Sequence, residues 1–186
     1  MLFLKKKIEV VLVFLALAGL AEPCIAQGND PYVIENGRIT VFDSQSFSIG
    51  DESKPVLERL GDFDSTDEDP GGVNYNYFEK GLSVSIGFDG NINLVSLAYH
   101  YKNRDGSIHT VSSHNEIVIE GIEVDRQTSM DEFISTLQDG DYDFEIDEGS
   151  GYTTVRIIFE NGHKCALWFI ESNNYLLYQV QYYSID

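Results

Sequence analysis

Gly37-Arg38-Ile39-Thr40-Val41 alternates apolar and polar residues after a glycine, and it recurs as Gly121-Ile122-Glu123-Val124. A period of two marks a half-buried strand. The recurrence is not isolated. Val56, Leu57 and Leu60 return as Phe133, Ile134 and Leu137, the apolar stripe of a short amphipathic helix. Phe78-Glu79-Lys80-Gly81 returns as Phe159-Glu160-Asn161-Gly162, a strand end entering a tight turn. Leu94-Val95-Ser96-Leu97-Ala98-Tyr99 returns as Leu177-Tyr178-Gln179-Val180-Gln181-Tyr182. Four blocks in one order predict an α+β fold of two tandem β-α-β-β-β repeats, with short helices packed on antiparallel sheet. The first repeat is placed at 27–102, a connecting hairpin at 103–113 and the second repeat at 114–186.

Local chemistry fits this order. Ser129-Met130-Asp131-Glu132 is an S-x-x-E capping box at the start of the second helix. Ser53 and Pro55 open the first helix, and Gly61 past Leu60 suits its C-terminal end. Helices of two to three turns are marginal alone, so each must dock its stripe on a sheet. Leu82 to Ile86 and Thr154 to Phe159 read as strands. They are bounded by Asn36-Gly37, Asp89-Gly90, Asp105-Gly106 and Asn161-Gly162, pairs that supply the positive φ angles of tight hairpins. Asp62 to Gly72, with its acids, Pro70 and Gly71-Gly72, has the makeup of a mobile loop. The pattern leaves open whether the halves share one sheet, and which face of it is exposed.

The start of the chain reads as a secretory signal over 1–26: Lys5, Lys6 and Lys7 precede an apolar run from Val10 to Leu20, too short to span a membrane. Cleavage after Ala26 is expected, with a cut after Ala21 and lipoprotein processing at Cys24 as the alternatives. The product is exported, periplasmic or secreted, with no membrane span after cleavage. Cys165 then stands alone in an apolar run and reads as a buried, inert thiol.

Of 186 residues, 12 are Lys or Arg and 31 Asp or Glu, a net charge of −19, while 42% are hydrophobic. So apolar a chain can offset its conformational entropy by burial, which excludes disorder. The deficit of cations argues against nucleic acid as a partner. His100, His109, His114 and His163 show no metal-ligand spacing. No nucleophile elbow or phosphate-binding glycine loop is present, and no cofactor is expected. Two acidic clusters remain as partner-binding candidates: Asp64, Asp67, Glu68 and Asp69, and Asp141, Asp143, Glu145 and Asp147. Neither matches a calcium loop, since Asp67 and Phe144 stand where its glycine is needed. In the second cluster Tyr142, Phe144 and Ile146 alternate with the four acids, predicting a strand with an apolar inner and a charged outer face.

The layout of short helix and antiparallel strands in tandem, over about Val33 to Tyr183, resembles that of the β-lactamase inhibitory proteins. It is also similar to bacterial domains of unknown function that carry Gly-x-Ile-x-Val, a short helix and Phe-x-x-Gly. Those inhibitors have a helix-loop-helix in each repeat and carry disulfides, unlike this chain. The resemblance implies a protein-binding role, with the outer face of the sheet presented to the partner. The expected function is therefore an exported, non-enzymatic interaction module of inhibitor or immunity type. Its partner is a basic protein, steered by the two acidic clusters. A small carboxylate-dependent hydrolase and a structural envelope protein are the alternatives.

Overall fold

The computed structural model describes residues 31–102, 108–110, 116–159 and 162–184. The expected leader with Cys24, the Asp105-Gly106 turn, His114 and Glu160-Asn161 lie outside the described residues.

Residues 32–98 fold as strands β1 (Tyr32–Glu35), β2 (Arg38–Val41) and β3 (Gln45–Ser48), helix α1 (Ser53–Leu60), and strands β4 (Ser65–Asp69), β5 (Gly72–Tyr77), β6 (Leu82–Gly87) and β7 (Ile92–Ala98). A short hairpin follows, β8 (His100–Lys102) paired antiparallel with β9 (Ile108–Thr110). The second part contains β10 (Glu116–Ile119), β11 (Ile122–Asp125), helix α2 (Met130–Asp139), β12 (Phe144–Gly149), β13 (Tyr152–Ile158), β14 (His163–Ile170) and β15 (Leu176–Ser184). The α+β class stands. The strand count differs from the β-α-β-β-β expectation: three strands precede α1 and two precede α2, and four strands of the large sheet, not three, follow each helix. Strand β4 is not expected from its sequence, which is so acidic that no apolar period shows, whereas β12 falls on the alternating strand read at Tyr142 to Asp147.

The strands form two main sheets. An eight-stranded antiparallel sheet runs β12-β13-β14-β15-β7-β6-β5-β4, and a five-stranded sheet runs β11-β10-β1-β2-β3. Both cross from one half of the chain to the other. In the large sheet β15 pairs antiparallel with β7, Val180 opposite Leu97. In the small sheet β1 pairs parallel with β10, Ile34 opposite Ile119. A parallel pair cannot be closed by a tight turn, so this seam is set by the packing of the two halves.

Turn chemistry fixes the small sheet. Asn36 and Gly37 adopt φ 50° and 78°, and Glu120 and Gly121 adopt φ 47° and 84°, the positive pair that a two-residue hairpin needs. Helix α2 begins at Ser129, whose hydroxyl accepts the Glu132 amide at 3.3 Å, satisfying one orphan donor. Helix α1 ends where the Gly61 amide donates to Leu57 O at 3.1 Å.

One core unites the sheets and helices. Val56 and Leu60 of α1, Phe133 and Leu137 of α2, and Ile34, Ile39, Ile117 and Ile119 of the small sheet are buried with Val84, Val95, Leu167 and Val180 of the large sheet. Phe133 lies 6.0 Å from Phe169, centroid to centroid, which seats α2 on β14. Two buried tyrosines tie the layers by hydrogen bonds: Tyr99 Oη donates to Val124 O at 3.1 Å, and Tyr32 Oη to Lys80 O at 2.7 Å. Cys165 is fully buried in this core and makes no disulfide. Burial pushes its thiol pKa up, which leaves the sulfur inert.

Candidate functional site

Pleating sends alternate residues of each strand of the large sheet to opposite faces, and the register shows how different the two faces are. On the core side one rung runs Tyr75, Val84, Val95, Tyr182, Cys165 and Ile157. On the other side the adjacent rung begins Ser65, Asn76, Ser83 and Ser96. It continues through Gln181 and Ala166 to Arg156 and Glu145, so it crosses every strand without one large apolar side chain.

These polar groups form a connected network. Asn76 donates its amide to Ser65 Oγ at 3.2 Å and to Asp67 Oδ2 at 3.0 Å. Asn74 donates to Asp69 Oδ2 at 3.0 Å and accepts from Ser85. Gln179 donates to Ser96, and Trp168 Nε1 donates to Gln181 Oε1 at 3.1 Å. Between them lies a trough of about 420 Å³ that opens to solvent, with Asp69 at one end and Tyr178 and Gln179 toward the other. Ser83 lies in its lining and is only 7% exposed. Tyr152 and Trp168 stack at 4.8 Å further along the same face.

The acidic candidates take up positions the sequence pattern did not foresee. Asp62 to Gly72 is not a loop: Ser65–Asp69 is strand β4, paired antiparallel with β5. Pairing Thr66 with Tyr75 and Glu68 with Val73 gives the segment a template that outweighs its charge. Asp64 precedes the strand and its carboxylate accepts the Phe78 amide at 2.7 Å. Asp67 and Asp69 point to the polar face, whereas Glu68 alternates to the other. Asp69 also accepts the Gly71 amide at 2.7 Å, and that bond, followed by the one from Asn74, holds its pKa below the ordinary carboxylate range.

Nor do the other four acids share one face. The strand starts only at Phe144, so Asp141, at φ 56°, and Asp143 lie before it. They line a cleft of about 660 Å³ with Glu120, Asn36 and Tyr142. Glu145 and Asp147 stand on the polar face beside cations of the next strands: Asp147 pairs with Arg156, and Glu145 lies 3.7 Å from Lys164. The expected apolar inner face of β12 is partly uncovered, Ile146 being 47% exposed.

The two clusters are therefore not one patch. Only Asp67, Glu68 and Asp69 of the first and Glu145 and Asp147 of the second lie on β4 and β12, the two edges of the same eight-stranded sheet. Seven strand spacings of about 4.8 Å separate them by about 34 Å along the sheet. Charged edges deter strand-to-strand association, and they also bracket the polar face. Among the described residues no three His, Cys, Asp or Glu side chains converge as a metal site. His163 Nδ1 is 2.9 Å from Tyr182 Oη. Sequence reading missed the polar rung, although Asn74 and Asn76, Ser83 and Ser85, and Gln179 and Gln181 are spaced by two on three strands.

Fold and site together define a two-sheet α+β protein whose larger sheet offers an open polar face between acidic edges. No protein-family model, curated protein or solved structure matches the chain. Among the described residues no helix is long and apolar enough to cross a membrane.

Proposed function

We propose that this chain is an exported, non-enzymatic protein-interaction module that docks a basic partner on the open face of its eight-stranded sheet. The tandem layout similar to the β-lactamase inhibitory proteins belongs to this reading, with duplication as its origin. It is supported by a strand pair, a helix and four strands in the same order in each half, the first half carrying β3 in addition. The observation that carries the function is the placement of Asp67 and Asp69 on one edge of the sheet and of Glu145 and Asp147 on the other, with an open polar face between them.

Clustered carboxylates on both flanks attract a cationic body from a distance, and like charge repels acidic competitors. Polar side chains already fixed by hydrogen bonds lose little freedom on contact, which favours affinity. Tyr152 and Trp168 supply the rigid amphipathic anchor common at interfaces.

The test is capture of envelope and secreted proteins on the immobilised protein at low salt, followed by stepwise salt elution. A basic protein should be released at one salt step. It should be lost when Asp141, Asp143, Glu145 and Asp147 become Asn or Gln, and also when Ser96→Arg blocks the open face. A partner indifferent to both variants, or none, overturns the reading.

A further inference from the structure

We infer that the trough on the open face is a receptor site for one arginine side chain of the partner. The inference rests on the reading that a basic protein docks on this face, and it names the group that enters.

The trough is lined by hydroxyl and amide groups of Asn74, Asn76, Ser83, Ser85, Ser96 and Gln179. Ser83 lines the trough at 7% exposure, with its hydroxyl within the polar lining. Its neighbours are turned so that acceptors remain. Asn76 commits its amide nitrogen to Ser65 and Asp67, which leaves its carbonyl oxygen to a ligand. Gln179 commits its amide nitrogen to Ser96, which leaves Oε1 in the same state. Asp69 supplies a negative charge at the rim, and no Lys or Arg is among the lining residues.

Charge complementarity therefore selects a cation over an anion. Acceptors spread over several strands suit a planar group with five donors in a fixed fork better than a compact ammonium. The Tyr178 ring in the lining offers a face on which a guanidinium can stack. Gln181, whose carbonyl is taken by Trp168, presents amide donors suited to a main-chain carbonyl beside the arginine.

The probe is acetyl-glycyl-arginyl-glycinamide, titrated into the protein and followed by amide NMR shifts. Its neutral isostere with citrulline, its lysine counterpart and cellotetraose serve as comparisons. The arginine peptide should saturate, moving the amides of Asn76, Ser83, Ser96 and Gln179, and should bind about tenfold tighter than the citrulline peptide. Ser83→Ala should weaken it, and Gln179→Glu should strengthen it while leaving the citrulline peptide unchanged. Equal binding of the arginine and citrulline peptides, preference for cellotetraose or lysine, or no saturable shift at these residues overturns the assignment. If the arginine peptide fails while Ser96→Arg still abolishes capture of a basic partner, the docking reading survives and the arginine site falls. If capture also fails, both fall.

Discussion

The backbone of Gly72 lies against the carbonyl oxygen of Ile86 so closely that no side chain fits between β5 and β6 at that point. A Cβ there would collide with Ile86 O, and Gly72 sits at φ 150°, where L-residues carry strain. The contact sits where the β4–β5 turn meets the open face. Gly72→Ala should cost about 2–4 kcal/mol of unfolding free energy. Urea denaturation would measure it, and a loss under about 0.5 kcal/mol would show that the strands simply part to admit a methyl group.

Asp69 should titrate below the ordinary carboxylate range. Its folded pKa is depressed, first by the Gly71 amide and then by Asn74, so its ionised form favours the folded turn. That contribution is present at pH values above its unfolded pKa of about 3.9 and is lost as pH falls through the lower folded value. Carboxyl NMR titration should show the depressed value in the wild type. Asn74→Ala should move it back upward, and an unchanged value would dismiss the hydrogen bond as its cause.

Arg156 and Asp147 bind the last edge strand, β12, to β13. Their exposure of 29% and 58% keeps water close, so the pair is worth at most about 1 kcal/mol. Asp147→Asn should lower the thermal midpoint slightly and speed amide exchange along β12 without affecting the core. Loss of several kcal/mol would mean that β12 is essential to global stability.

Leu137 and Phe133 hold α2 in the core, both at 1% exposure or less. Leu137→Ala should cost about 2–4 kcal/mol, since the cavity left between helix and sheets cannot fully close. The near-ultraviolet spectrum should survive if the fold persists. A cost below about 1 kcal/mol would indicate that the helix is not needed to cover the sheet.

Cys165 should resist thiol reagents in the folded protein and react only on unfolding. It is fully buried and its ionisation is suppressed, chiefly by that burial. Labelling of the Cys165 peptide, read by mass spectrometry in native buffer and in denaturant, distinguishes the two states. Rapid native labelling would show that β13, β14 and β15 open locally.

Much of the architecture was legible because hydrophobic period is a local property. Val84, Val95, Val180 and Tyr182 alternate in the sequence as they do in the sheet, and the stripe of Phe133, Ile134 and Leu137 marks its helix. Strand β4 was harder. In Ser65–Asp69 nothing apolar repeats, and only the neighbouring Tyr75 and Val73 recruit it as a strand. The polar rung escaped notice because each Asn, Ser or Gln is unremarkable alone. It acquires meaning only when Asn76, Ser83, Ser96 and Gln181 are set side by side.

Acidity, the apolar periods, the turn glycines and the lone Cys165 come from the sequence, since each depends on residues close along the chain. Tertiary structure alone decided that β7 meets β15, that β1 runs parallel to β10, and that the two acidic segments are opposite edges of one sheet. Register and strand order join residues up to more than eighty positions apart, as Ser96 and Gln181 are. Those contacts are chosen by the shape of the shared core, a quantity no local pattern contains.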